Sequence, residues 1–157
     1  MMRHGSLWAT GIGTILSVGL LAGAEAYAGE TDHAPMCTLE TLKGQYLGST
    51  NGMLIPPVPL FSIPAGAPPS VTAAAYYSIY NGDGTGTDYV TFTVNGVIAA
   101  DGPTPTTYTL NTDFTGTKTV TNGPHFNIFV AIDGSGTSEI STDQGFAVSA
   151  TDKRVGP

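Results

Sequence analysis

Two stretches of the chain alternate apolar and polar side chains with a period of two. Val90, Phe92 and Val94 fall on one face, with Tyr89, Thr91 and Thr93 on the other. Phe126, Ile128, Val130 and Ile132 share a face opposite His125, Asn127 and Asp133, while Phe129 adds an apolar group to the polar side. This period belongs to a strand, whose successive side chains point to opposite faces. Apolar content on both faces suits a strand partly covered on each side. No long stretch carries the 3.6-residue apolar period of a helix. Between Gly, Asn and Asp punctuation, the pattern predicts strands near Gly44–Thr50, Val71–Tyr80, Thr87–Val94, Thr106–Leu110, Thr117–Thr121, His125–Ile132, Thr137–Thr142 and Phe146–Thr151. Thr38–Lys43 reads as one helical turn with Thr38 as its N-cap. Count and spacing suit an antiparallel meander, which has two common solutions, a sandwich and a closed barrel.

A pattern recurs where three of the turns fall: Asp83-Gly-Thr-Gly-Thr87, Asp113-Phe-Thr-Gly-Thr117 and Asp133-Gly-Ser-Gly-Thr137. Asp can open a turn by accepting from an N–H two residues on, Gly supplies a positive φ, and Thr restarts the strand. A calcium-binding nonapeptide is the alternative for Asp83–Thr91, but such sites need stacked tandem copies. The segment Leu54–Pro69 is unusual. It holds Pro56, Pro57, Pro59, Pro64, Pro68 and Pro69, interleaved with Leu54, Ile55, Val58, Leu60, Phe61 and Ile63. Proline removes ladder donors, so this is no central strand. Its apolar content fits packing over a barrel end or a neighbouring subunit, a lid over a cavity, or a free proline-rich recognition segment.

Composition supports the β reading. Of 157 residues, 21 are Gly, and only 11% are charged. The net charge of −7 disfavours nucleic acid as a partner, because phosphate binding needs clustered cations. The first 28 residues read as an export signal. Arg3 supplies the positive n-region, Gly5–Ala24 is uncharged and most apolar over Ile15–Ala22, and Ala26-Tyr27-Ala28 provides small residues for cleavage before Gly29. An uncleaved membrane anchor is the alternative, weakened by the interspersed glycines and hydroxyl residues. The expected organisation is a signal peptide (1–28), a polar tail (29–36) and one β domain (37–157). The mature protein is expected in the periplasm or medium, without stable membrane insertion. Cys37 is the only cysteine, so no intramolecular disulfide can form. It reads as a buried or half-buried thiol.

Strong chemical motifs are missing. There is no H-E-x-x-H, C-x-x-C, P-loop, dinucleotide fingerprint or nucleophile elbow, and no metal or cofactor is expected. His33 falls in the tail. His125 starts a strand beside a turn and reads as a rim residue or an acid–base group. Glu139, mid-strand beside Ile140, has two readings. Pointing into an apolar interior, its carboxyl would have a raised pKa and could transfer protons; pointing to water, it is a solubilising charge. Tyr76, Tyr77, Tyr80, Tyr89 and Tyr108 could offer hydroxyls to a ligand or pair with backbone groups.

Five segments together carry a resemblance: Cys37-x-Leu39-x-x-Leu42-x-Gly44-x-Tyr46, Tyr108–Thr117 (YTLNTDFTGT), His125–Val130 (HFNIFV), Thr142-Asp-x-Gly145, and Arg154. From Cys37 to Arg154 the chain resembles small exported bacterial proteins with a barrel similar to allene oxide cyclase and dirigent proteins. Such relatives carry Asp-Cys-Thr-Gly-Thr where this chain has Asp113-Phe114-Thr115, so the resemblance implies a disulfide partner for Cys37 that is absent here. It also implies an all-β fold, a single eight-stranded antiparallel barrel of lipocalin-like shape. In better-known branches the barrel binds an apolar molecule and controls its conformation during cyclisation or coupling, consistent with orientation effects. The expected function is binding of a small apolar or aromatic molecule, with isomerase or cyclase activity as its catalytic form. No catalytic residue carries over from those branches; on polarity and strand position alone, Glu139 and His125 are the catalytic candidates, and Tyr108, Asn127, Tyr77 and Phe61 the ligand-binding ones. This reading expects a cavity of roughly 300 Å³ or more with Glu139 inside. The alternative is a structural or interaction protein that self-associates through residues 54–69.

Overall fold

The computed structural model describes residues 36–157; the proposed leader, its cleavage site, His33 and the tail up to residue 35 lie outside them. Eight strands run β1 (Gly44–Leu54), β2 (Ser70–Tyr80), β3 (Thr85–Val94), β4 (Val97–Leu110), β5 (Thr115–Val120), β6 (His125–Val130), β7 (Gly136–Ser141) and β8 (Phe146–Gly156). They form a closed antiparallel barrel in sequence order. The last strand closes onto the first over Leu54↔Phe146 to Gln45↔Gly156. Closure gives every strand two neighbours over part of its length, which decides between barrel and sandwich. Helical content among the described residues is two short 3₁₀ turns, Leu39–Leu42 and Pro59–Phe61.

The observed strands overlap all eight expected ones. The main difference is β4, which begins at Val97 rather than Thr106. A proline within a strand removes a ladder donor. However, Pro103 and Pro105 lie opposite Tyr89 and Thr87 of β3, and pairing with β5 starts only at Thr106. Before Thr106 the strand has a free side, and a proline lacking its N–H is tolerated on such an edge.

The interior positions alternate along each strand, as in Tyr46, Gly48, Thr50, Gly52 and Leu54 of β1 and Phe146, Val148, Ala150 and Asp152 of β8. One end of the barrel is plugged. The Leu39–Leu42 turn buries Leu42 over Tyr46, Tyr80 and Tyr108, whose rings meet edge to face at 5.3 and 5.2 Å. Tyr46 donates to the Gly134 carbonyl at 2.8 Å. Arg154 donates to the Tyr46 hydroxyl and, at 2.7 Å, to the Thr41 carbonyl. Cys37 is buried at the same end, its N–H donating to Thr112 at 3.3 Å.

The three repeated turns all lie at this plugged end. Asp83 and Asp113 each accept from the N–H and hydroxyl of the Thr two residues on, and Asp133 accepts from the Ser135 N–H. These bonds favour the ionised form and hold all three carboxyls below the usual range. Gly84 and Gly134 supply the positive φ, and Phe114 adopts the same conformation at 66°. Left-handed backbone is uncommon for an aromatic residue; here the ring packs against the core.

Interior glycines make room for large neighbours. A Cβ on Gly48 would collide with the Asp152 carboxylate and the Tyr76 ring. Gly48→Ala is therefore expected to destabilise the fold by about 1–3 kcal/mol, the usual cost of overpacking, measured as a lower urea midpoint; an unchanged midpoint would contradict this packing.

Candidate functional site

A cavity of about 180 Å³ lies between the plugged end and the opposite rim. It is smaller than the roughly 300 Å³ expected from the sequence, with tyrosine rings and Leu42 filling the plugged end and phenylalanine rings lining the rest. Phe61, Phe92, Phe126 and Phe146 line it, together with Val90, Val120 and Val148. Phe61 comes from the proline-rich connection. It stacks on Phe92 at 6.0 Å and packs on Phe146 at 5.7 Å. Val58 of this connection is fully buried, and Leu60 and Ile63 pack against the core. The segment thus folds back over the barrel's rim. A dry apolar cavity of about 150 Å³ accepts benzene, so the observed volume suits a compact ring-sized molecule.

The inner wall of this cavity is charged. Lys118 of β5, Asp88 of β3, Glu139 of β7 and Tyr76 of β2 line it. Alternation places them inside: Asp88 shares its face with Val90 and Phe92, Lys118 with Val120, and Glu139 with Thr137. Lys118 Nζ lies 3.2 Å from Asp88 Oδ2 and donates to Glu139 Oε1 at 3.4 Å. It also sits over the Tyr76 and Tyr80 rings, 5.2 and 5.5 Å from their centroids. Asp88 accepts from Ser78 at 2.7 Å. Asp152 accepts from Tyr76 and, more weakly, from Tyr80 at 3.4 Å. The two hydrogen bonds to Glu139, from Lys118 and Thr137, both fall on Oε1. Thr50 Oγ1, on the cavity wall, is buried without a partner.

One ammonium therefore faces three carboxyls in a closed interior. Glu139 is 4% exposed. Burial raises its carboxyl pKa to about 7, with the Lys118 charge pulling the other way and the Asp152 and Asp88 charges adding to the rise. For Lys118, burial acts to lower the pKa, but Glu139 and the other surrounding acidic groups outweigh it and hold the ammonium well above its usual value. Burial also raises the Tyr76 and Tyr80 hydroxyls. The lysine is a fixed cation, while Glu139 can exchange a proton near neutrality.

The residues singled out from the sequence fall in different places. Glu139 and Phe61 reach the cavity. Tyr108 does not line it: its hydroxyl donates to Leu39 and accepts from the Gly82 N–H at the plugged end. Tyr77 is on the outer wall, donating to Gln45 and packing on Tyr89. Asn127 is exposed on the outer face of β6. His125 stands at the rim with its side chain 54% exposed, its ring nitrogen 2.9 Å from Asp143 Oδ1. The odd-numbered positions of β6 point outward, which carries both His125 and Asn127 away from the interior. The sequence reading missed Lys118, Asp88 and Asp152. For Asp88 a signal was present, since it precedes Val90 by two residues on the same face.

No group of three His, Cys, Asp or Glu side chains suited to a metal ion occurs among the described residues. Comparison with family models, curated proteins and solved structures finds no significant match to the chain.

Two outcomes follow from the buried charges. The folded chain retains a proton on Glu139 that an unfolded chain releases above about 4.5. This stabilisation is fully present at lower pH and lost as pH rises through about 7. Thermal unfolding from pH 5 to 8 should show a fall in stability that Glu139→Gln flattens. Lys118→Met leaves the acidic groups without their cation and should cost about 3–5 kcal/mol at pH 8, as removal of one partner from a buried pair does, measured by urea denaturation.

Proposed function

We propose that the protein is an exported barrel that binds a small, largely apolar or aromatic molecule. The observation that carries this reading is the cavity walled by four phenylalanine rings and bounded by the Lys118–Glu139–Asp88 cluster. An apolar chamber with a few convergent polar groups is the usual form of a small-molecule site. Phe61, contributed by the proline-rich connection, acts as a lid over it. The leader-like pattern of residues 1–28 supports export. In its catalytic form the protein is an isomerase or cyclase: the walls fix the bound molecule's conformation, and Glu139 gives or takes the proton. His125, outward at the rim beside Pro124, has no part in this form of the proposal. Self-association through residues 54–69 has less support, because Val58, Leu60 and Ile63 of that segment turn onto the barrel.

Titration with benzyl alcohol tests the binding reading. Saturable NMR shifts are expected at Ala74, Val90 and Val148, and Ala74→Phe, which fills the cavity, should abolish them. A linear response at these residues to benzyl alcohol and to benzylamine alike, or saturation unaffected by filling, would remove the reading.

A further inference from the structure

The charges around the cavity also bear on the kind of molecule it takes. Lys118, the cation in the wall, is already committed. Two acidic side chains lie within 3.4 Å of its ammonium, and the Tyr76 and Tyr80 rings flank it. It therefore has little capacity left for an anionic ligand. The Tyr76 hydroxyl is likewise spent on Asp152. What remains unpaired at the cavity is one anionic acceptor, Glu139 Oε2, free of the two bonds that Oε1 accepts, together with the Thr50 hydroxyl, which can donate or accept.

The groups facing Glu139 from the packed strands are Lys118 of β5, Asp88 of β3, Asp152 of β8, and Tyr76 and Tyr80 of β2. With all three carboxyls ionised, this layer lacks compensating positive charge. The surrounding aromatic rings offer negative faces to a cation, and an ion desolvated in such a chamber interacts more strongly than one in water. We propose that the bound molecule is a small aromatic or apolar primary amine, held as its ammonium ion by Glu139 Oε2 with its apolar body among Phe61, Phe92, Phe126 and Phe146. This deepens the function proposed above and rests on the cavity being a binding site.

The protonation state of Glu139 gives the proposal a pH signature. An ammonium ligand favours the ionised carboxylate, so binding below about pH 7 must displace a proton. Affinity for the amine should fall by up to tenfold per unit as pH drops below that value, whereas a neutral ligand carries no such penalty.

The test uses benzylamine, benzyl alcohol and benzoate as isosteric probes, titrated calorimetrically into the full chain between pH 5.5 and 8.5. At pH 8 benzylamine should bind at least tenfold more tightly than benzyl alcohol, with benzoate weakest. The amine-to-alcohol ratio should shrink towards acid pH and approach one in Glu139→Gln. If benzyl alcohol or benzoate binds as well as the amine, the amine proposal is overturned and the cavity reading stands. A ratio that is independent of pH in the unaltered chain overturns it equally, whether or not the variant folds. If none of the three binds, both readings fall.

Discussion

Closing eight strands on themselves forces Lys118 and three carboxyls into one enclosed layer, and the rest of the interior is arranged around that charge. An unpaired ion in such a place would cost several kcal/mol. The barrel offsets this by distributing partners over separate strands. Asp88 arrives from β3, Glu139 from β7, and Asp152 is held by hydroxyls from β2. Nearest neighbours around the wall could not supply all of these. The closed circuit brings β3, β5, β7 and β8 to face one another across a shared interior.

The layer also divides the interior into two unlike halves. On one side, tyrosine rings, Leu42 and the Arg154 hydrogen bonds leave little room. On the other, phenylalanines contributed by three strands and one connection leave a void. Small interior residues set the boundary: Gly48 admits the Tyr76 ring and Asp152, and Ala150 lies opposite Glu139 in the ladder.

Much of this architecture was legible because alternation and turn chemistry act locally. Val90–Phe92–Val94 and Phe126–Ile128–Val130 announce their strands and inward faces, and the three Asp-led repeats mark hairpin turns. β4 was legible only in part, since Pro103 and Pro105 argue against a strand unless one knows that its other side is free. The site was harder. Glu139 has no apolar residue two positions away to reveal its face, so the pattern favoured the ordinary outward placement of a carboxylate over the inward one observed. Lys118 is bracketed by threonines and reads as an ordinary surface cation; its burial follows from carboxylates 21 to 30 residues away. Tyr108 was read as a ligand contact because a buried hydroxyl suits that role equally well. Its backbone partners, Leu39 and Gly82, are remote from it in sequence and become neighbours only when the plug docks.

The three Asp-led turns gather at the plugged end, while the opposite ends of the strands carry the proline-rich connection, the Asn95-Gly96 hairpin, residues 121–124 and residues 142–145. The barrel is in effect a cup whose base is stitched by the repeated Asp-led turns and the plug and whose lip is made of dissimilar pieces. Insertions or exchanges at the lip would reshape the mouth of the cavity while leaving the base, and the ability to fold, untouched. The same asymmetry makes the lip the natural place to graft new recognition onto this scaffold.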